Sequence, residues 1–458
     1  MMYCDYPMVS QQDRINHSPA LDPASIKLSP EQAYATLQRH ELPESVRLDT
    51  FDGRPVYRFR SGGSESIVYA DTDEEQLEFP PDLTLRLAAA WTRQPPEAAK
   101  VEENNQEDQW TVSEEFSDLR PLRKYIWPDG EQVYVSSVTG DVVQYTTRWS
   151  RFRAYIGPIP HWLYFTALRK HGRQWTAVVI WSSGLATVAA MLGIVIAVSI
   201  ISPEKRFRHA GVASSLPYSG WKRWHSILGL FFGILACTWA FSGMLSMDPF
   251  PALSEGGPNE TAARFANALR EKPVPLGGFN AKLPREALAE VGPNFGAREL
   301  ELISFGGEPT YLAYSAADQT RALPVRGQSS PTLDFDKIVG ILRRAAAPSA
   351  IAQANILAKY DCYYLDRHNS LPLPALLVQL NDAQQSSFYI DPGKARVVKI
   401  YNSKTRVNRW LYHGLHSMDL PLLYANRPAW DIVVLLGLLG GTCLCVTSLK
   451  LAWGVLRR

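Results

Sequence analysis

The 458-residue chain is too long for a single hydrophobic core, so several domains are expected. Its 47 Lys and Arg residues nearly balance its 45 Asp and Glu residues, and a net charge of +2 argues against a polyanionic partner such as nucleic acid. Five cysteines without a CxxC or CxxCH motif argue against a disulfide framework and against covalently attached haem.

The second half of the chain repeats the first half at an offset of about 254 residues. The early positions Pro30, Ala33, Phe51, Gly53, Pro55 and Tyr57 recur as Pro284, Ala287, Phe305, Gly307, Pro309 and Tyr311. Later positions recur one residue further on, with Tyr134, Arg151, His161 and Trp175 matched by Tyr389, Arg406, His416 and Trp430. We infer a gene duplication, and two such copies are expected to pack about a pseudo-twofold axis.

Each copy begins with the pattern of a short helix followed by a hairpin. Residues 28–40 start with Ser29 and Pro30, which are typical of a helix start, and residues 46–59 alternate toward an Asp52-Gly53 turn. The same pattern returns at 283–291 and 300–314, and a second hairpin is predicted in each copy at 131–145 and 387–401. The acidic, proline-interrupted stretch 71–105 is expected to be a connector.

Three long runs carry no charged residue and are expected to cross a membrane. They cover 27 residues from Trp175 to Ile201, 22 from Ser226 to Met247 and 18 from Ile432 to Leu449. At about 1.5 Å per residue each can cross a hydrocarbon layer of about 30 Å, the last with help from its flanking residues. The predicted spans are therefore residues 175–201, 226–247 and 430–453.

Basic residues near the span ends predict the orientation. Five Lys and Arg residues lie in the loop between the first two spans, which places residues 202–225 in the cytoplasm. Residues 1–160 and 248–429 are then outward domains, and the tail 454–458 is cytoplasmic.

These patterns resemble a known bacterial family. Helix-plus-hairpin units that end in phrases such as YIDPGKARVV resemble PepSY domains, and their union with spans such as WHSILGLFFGILACTWAFSGML resembles the PepSY-associated transmembrane proteins. The resemblance implies an internally duplicated α-helical membrane protein of the bacterial inner membrane, with α+β periplasmic domains. Some members of this family resemble haem-b ferric-siderophore reductases, and others are regulators or peptidase inhibitors.

The repeat also predicts a helix that the printed sequence does not contain. Subtracting the offset from the span at 226–247 gives positions before Met1, so a leading helix of the first copy would precede the chain. We expect the natural start to lie upstream, and the alternative is that this copy has lost its helix.

His161 and His416 are the predicted cofactor ligands. Each precedes the first tryptophan of its span by 14 residues, so both are expected near the outer membrane interface. Two neutral imidazoles on opposite sides of a macrocycle suit a six-coordinate b-type haem. His413 is an alternative ligand, and it could instead join His416 and Asp419 in a metal site.

An inner haem site and an outer substrate site complete the predictions. His225 lies at the inner end of the second span and is predicted to be half of an inner haem site. The outward segment 360–368 is rich in aromatic and polar residues, and four of them could meet a ferric chelate: Tyr363, Tyr364, Arg367 and His368. A plainer interpretation of this segment is an exposed strand edge.

We therefore expect electrons to pass from a cytoplasmic reductase or a quinone to an outward acceptor such as a ferric siderophore. The sequence carries no nucleotide-binding or flavin fingerprint, so the reductant must come from a partner. Two alternatives remain at this point: a non-redox PepSY binding or regulatory protein anchored in the lipid bilayer, and a metal-binding membrane protein.

Overall fold

The chain folds as mixed helix and sheet with three long apolar helices. The computed structural model describes residues 3–209, 211–250 and 259–457. Two compact units are formed, each from three separate stretches of the chain. The first contains residues 1–171, 258–359 and 372–400, and the second contains residues 172–257, 360–371 and 401–458.

The described strands, in chain order, are β1 Ser45–Phe51, β2 Arg54–Ser61, β3 Ser64–Tyr69, β4 Glu75–Gln76, β5 Lys100–Asn104, β6 Leu122–Ile126, β7 Gln132–Ser136, β8 Val142–Thr146, β9 Phe207–His209, β10 Val212–Ser214, β11 Glu299–Phe305, β12 Glu308–Ala316, β13 Gln319–Pro324, β14 Ile351–Leu357, β15 Ala375–Leu380, β16 Ser387–Asp391 and β17 Arg396–Tyr401. The described α-helices are α1 Gln11–His17, α2 Pro30–Ala35, α3 Pro81–Thr92, α4 Arg148–Ile156, α5 Pro158–Trp162, α6 Thr166–Arg169, α7 Gly172–Ile200, α8 Gly220–Leu245, α9 Glu260–Leu269, α10 Pro284–Val291, α11 Phe335–Ala345, α12 Ser403–Arg409, α13 Pro421–Ala425 and α14 Arg427–Leu456. Short 3₁₀ turns and one π-helical turn, Trp410–Gly414, complete the secondary structure.

Local sequence signals account for the first helix and hairpin of each copy. Helix α2 begins at Pro30 after a capping box in which Ser29 accepts from the Gln32 amide. The turn between β1 and β2 places Asp52 and Gly53 at φ values of 47° and 77°, which matches the twist of the strands. The predicted helices at 28–40 and 283–291 are present, although α2 is shorter than predicted.

A seven-stranded antiparallel sheet joins the two copies within the first unit. Its strand order is β13-β12-β11-β1-β2-β3-β4, and the copies meet where β1 pairs with β11 and Arg47 lies opposite Glu301. In each copy a helix precedes this sheet, and a second helix and a four-stranded sheet follow it: α2, α3 and β5–β8 in the first, α10, α11 and β14–β17 in the second. The order of elements therefore repeats.

Equivalent tyrosines anchor the cores of the two copies. Tyr57 is fully buried and donates to the carbonyl of Leu28 at 2.7 Å, and Tyr311 does the same to Lys282 at 2.7 Å. Both side chains belong to one apolar cluster on a single face of the large sheet. Burial of each aromatic ring contributes about 2–3 kcal/mol.

The connector predicted at residues 71–105 is wrong. This stretch contains the 12-residue helix α3 and strand β5. Leu83 and Ala88 of α3 are buried, and they pack in apolar clusters with Phe51 and Trp127. The acidic and proline residues lie mainly at the ends of these elements, where they do not oppose helix formation.

The second unit contains three helices that are long and apolar enough to cross a membrane among the residues described, namely α7, α8 and α14. Each begins three to six residues before its predicted span; α14 covers its span, whereas α7 and α8 end one and two residues before the predicted ends. Helix α8 packs against both α7 and α14. Glycines permit the close α8–α14 contact, since a Cβ at Gly440 would lie 2.3 Å from Phe232.

Candidate functional site

His416 lies in a segment of the second unit that is held by buried charge. Helix α12 leads into the π-helical turn, and Arg409 at the end of α12 is only 3% exposed. Its guanidinium donates to the Cys362 carbonyl at 2.9 Å and to the Asp419 carboxylate at 3.1 Å. This buried ion pair and the hydrogen bond to the Cys362 carbonyl fix the backbone on both sides of His416, while Arg409 Nη1 has no partner among the described residues.

The His416 ring contacts helix α8 and is held in one tautomer. Its Nδ1 lies 3.0 Å from the Ser242 hydroxyl, which itself donates to the Thr238 carbonyl at 2.6 Å. When the serine hydroxyl donates to that carbonyl, it can only accept from the imidazole, which places the ring proton on Nδ1 and the lone pair on Nε2. Burial lowers the pKa of His416, which favours the neutral ring that a metal centre requires.

His225 has a similar hydrogen bond to a hydroxyl, near the opposite end of α8. Its Nδ1 lies 3.0 Å from the Thr447 hydroxyl of α14, and that hydroxyl donates to the Leu444 carbonyl at 2.8 Å. When the threonine hydroxyl donates to that carbonyl, the ring proton is again on Nδ1 and Nε2 carries the lone pair. His225 and Ser242 are 17 residues apart on α8, so the two histidines are separated by about 25 Å along its axis.

An apolar groove of about 560 Å³ lies beside His225, between α8 and α14. Its lining includes Trp221, Trp224 and Leu228 of α8 with Val446 and Thr447 of α14. Thr447 thus both lines the groove and holds the histidine. A groove of this size suits a cofactor or another flat apolar molecule, and imidazole nitrogen is a suitable ligand for haem iron.

His161 lies in the first unit, on the short helix α5, and its ring is exposed. Its backbone amide donates to the Gly157 carbonyl at 3.2 Å. His416 belongs to the second unit, and the pairing of these two histidines remains a prediction.

The predicted metal site of His413, His416 and Asp419 is wrong. Within the described residues, no three His, Cys, Asp or Glu side chains are grouped so that they could hold a metal ion. The Asp419 carboxylate is instead the partner of buried Arg409, and the His413 ring packs against Tyr412 with centroids 4.7 Å apart. His413 and His416 are three residues apart, but the π-helical turn ends between them.

The predicted substrate-binding residues of segment 360–368 differ in exposure. Tyr364 is fully buried, so its predicted contact with a substrate is wrong. Tyr363 is half-buried against Tyr401 and Trp410, with centroids 5.1 and 6.1 Å apart. Arg367 is half-buried and donates to the exposed His368 at 2.8 Å. The segment is irregular, so the strand-edge interpretation is also wrong.

Sequence reasoning missed the two hydroxyls that hold the histidines. Ser242 and Thr447 are buried polar residues inside otherwise apolar helices. Other Ser and Thr residues, such as Thr238 and Ser448, lie in the same helices, so no signal in the sequence distinguishes these two. What was lacking was the information that each hydroxyl lies opposite a histidine.

No protein-family model, curated protein or solved structure matches this chain.

Proposed function

We propose that this chain is an electron-transfer protein of the bacterial inner membrane that holds b-type haem and passes electrons to an outward acceptor. The observation that carries the proposal is the matched setting of His416 and His225. Each has its Nδ1 proton directed to a hydroxyl that is already engaged by its own helix. A hydrogen bond to the outer nitrogen of an axial histidine orients the ring and raises its basicity.

The residues divide into an outer and an inner site. His416 would hold a haem iron at the outer site through Nε2, with His161 as the ligand that the repeat supplies. His225 would hold an inner haem, with the groove along α8 and α14 keeping water away from it. When bound, such a haem supplies a one-electron redox couple whose potential depends on its axial ligands and surroundings.

The chain's own residues provide orientation and exclusion of water. Ser242 and Thr447 set the imidazole planes, and the Arg409–Asp419 ion pair fixes the backbone near His416. The electron donor is a cytoplasmic reductase or a quinone, and the acceptor is a ferric siderophore or another periplasmic oxidant. The resemblance to PepSY-associated membrane proteins supports this choice of donor and acceptor.

Absorption spectra of the purified chain, oxidised and then reduced with dithionite, test the proposal. We expect a Soret band and a sharp α band of a six-coordinate b-type haem. His225→Ala and His416→Ala should each remove about half of the haem, whereas the matched change of an exposed histidine, His368→Ala, should remove none. His161→Ala should turn the outer haem from low-spin to high-spin.

The hydroxyls provide a second measurement. Ser242→Ala should weaken haem retention at the outer site about 10-fold to 100-fold and leave the inner site unchanged. Thr447→Ala should do the reverse. A protein without a Soret band from cells supplied with haem, or one that keeps all its haem after both His225→Ala and His416→Ala, would contradict the proposal.

A further inference from the structure

A cavity of about 190 Å³ lies in the first unit, where the large sheet, α1, α3 and the β7–β8 turn meet. One wall is a flat aromatic stack of His17 on Trp91, with centroids 4.0 Å apart and planes inclined by 5°. Leu87, Ala90 and Val142 add apolar surface. Seven further lining residues are charged, which is unusual for a cavity formed over the centre of a sheet: Arg14, Arg47, Asp49, Asp52, Arg58, Asp141 and Glu299.

Most of the charges around this cavity are already paired. Arg58 is 6% exposed and contacts Asp49 at 2.9 Å and Asp141 at 3.1 Å. Both Arg58 and Arg47 also contact Glu65, at 3.0 and 3.2 Å. These two guanidinium groups and three carboxylates therefore satisfy one another without a ligand.

Three polar groups at the cavity have no such partner. The Glu299 carboxyl makes no hydrogen bond or ion pair within the described residues, and neither does the guanidinium of exposed Arg14. The Trp91 indole Nε1 is buried and has no acceptor among the described residues. An unsatisfied buried donor costs about 1–3 kcal/mol, and a carboxyl without a counter-charge at a cavity, such as that of Glu299, indicates a missing partner.

Charge and size together limit what this partner can be. The Glu299 carboxylate would repel a purely anionic ligand, and the Arg14 guanidinium would repel a purely cationic one. A ligand with both a carboxylate and an ammonium group can satisfy both. The volume is slightly larger than that of a cavity of about 150 Å³ that holds benzene, so it suits one amino acid and not a dipeptide.

We propose that this cavity, defined by Arg14, His17, Trp91 and Glu299, binds a free apolar or aromatic amino acid. The ammonium group pairs with Glu299, the carboxylate with Arg14, and the side chain packs on the His17–Trp91 stack. This site goes beyond the haem-based function, because it lies in the first unit and uses none of the proposed haem ligands.

Isothermal titration calorimetry on the full chain in nanodiscs tests the site with L-phenylalanine and L-leucine as probes. N-acetyl-phenylalanine lacks the ammonium group and phenylalaninamide lacks the carboxylate, so each should bind at least 10-fold more weakly than phenylalanine. Phenylalanyl-phenylalanine should not bind measurably. Failure of both free amino acids to bind at millimolar concentration would overturn the proposal, as would equal binding of the blocked compounds or of the dipeptide.

Variants assign each contact. Glu299→Gln and Arg14→Gln should each weaken phenylalanine binding at least 10-fold, and Trp91→Phe should weaken it while keeping an aromatic wall. The matched controls Glu97→Gln and Arg60→Gln change exposed residues outside the lining and should have no effect. Unchanged affinity in Glu299→Gln would overturn the assignment. The haem spectrum of these variants should equal that of the parent, which separates a failure here from a failure of the haem proposal.

The pH dependence of binding gives an independent readout. Burial raises the pKa of Glu299 to about 7, against the lowering effect of Arg47 and Arg14 and with the raising effect of Asp49 and Glu301. Affinity for phenylalanine should therefore increase from pH 6 to pH 8 as Glu299 ionises, with Asp141 on the β7–β8 turn already ionised. Glu299→Gln should remove this increase, and an affinity that does not change with pH in the parent chain would contradict the role of Glu299.

Discussion

Two glutamates on β11 show how strongly local partners control protonation. Glu299 and Glu301 are two residues apart and share one face of the strand. Burial would raise the pKa of Glu301, but Arg270 and Arg396 outweigh it and lower the value to about 2. Glu299 has no equivalent partner, and burial raises its pKa to about 7.

Opposite effects on stability follow for the two side chains. The folded state holds the Glu299 proton at higher pH than the unfolded state does, so its contribution to stability falls as pH rises from about 4.5 to about 7. The folded pKa of Glu301 is lowered, so its contribution is present above about pH 4.5 and is lost as pH falls toward 2.

Replacement of Glu299 by Gln should therefore stabilise the first unit at pH 8 and change little at pH 4. The gain is at most about 3 kcal/mol, because one pKa unit corresponds to about 1.4 kcal/mol. Thermal unfolding followed by circular dichroism at the two pH values measures it. The matched change Glu301→Gln should lower the unfolding temperature at pH 8, because Arg270 and Arg396 lose their partner. A lower unfolding temperature in Glu299→Gln at pH 8 would contradict this account.

At the scale of elements, helix α8 carries His225, contacts His416 and packs against α14. His225 on α8 binds a hydroxyl of α14, and His416 just before α13 binds a hydroxyl of α8. The helices come close through glycine, with Gly440 against Phe232 and Gly437 against Leu235. A Cβ added at position 440 would lie within 2.5 Å of three ring atoms of Phe232, so the ring or the helices must shift.

Gly440→Val should thus lower the thermal unfolding temperature and reduce haem bound through His225. A Cβ at position 440 would lie 2.3 Å from Phe232, too close for any rotamer change to relieve at low cost. Gly454→Val on the same helix is the control, since a Cβ there meets no atom within 4 Å. Equal behaviour of the two variants in thermal unfolding and haem content would show that the close contact is not needed.

At the scale of the whole molecule, the two copies of the repeat share one seven-stranded sheet, and the chain also contains three long apolar helices among the described residues. The β1–β11 pairing links residues that are about 250 positions apart. Because β1 and β11 pair with each other, neither β1–β4 nor β11–β13 has an unpaired edge where the copies meet. Basic residues lie in the loop between α7 and α8, including Lys205, Arg206 and Arg208. We propose that this loop, with its β9–β10 hairpin, is cytoplasmic and that the sheets of the first unit are periplasmic.

Single cysteines in a cysteine-free chain test this orientation. Ser64 at the start of β3 and Asp318 between β12 and β13 are exposed, so Ser64→Cys and Asp318→Cys should both react with a membrane-impermeant maleimide in intact spheroplasts. Glu204→Cys in the loop between α7 and α8 is also exposed but should react only after permeabilisation. The reverse pattern would place the sheets in the cytoplasm and contradict the periplasmic acceptor.

Signals that act over a few residues are readable directly in this sequence. The apolar runs predict α7, α8 and α14, the Asp52-Gly53 pair predicts a hairpin turn, and Ser29 with Pro30 predicts the start of α2. These features depend on backbone preferences and on hydrophobic length, which neighbouring residues determine. The connector prediction for the stretch 71–105 is wrong because the burial of helix α3 depends on strands formed elsewhere in the chain.

The tertiary structure alone decides which distant groups meet. By itself the sequence determined the apolar helices, the internal repeat and the positions of His161, His225 and His416 near the ends of the apolar runs. Only the folded chain places Ser242 against His416 and Thr447 against His225, assigns Asp419 to Arg409, and leaves Glu299 without a partner. The physical reason is that a tautomer, an ion pair or a shifted pKa depends on the few atoms nearest the group, and packing brings those atoms from distant parts of the chain.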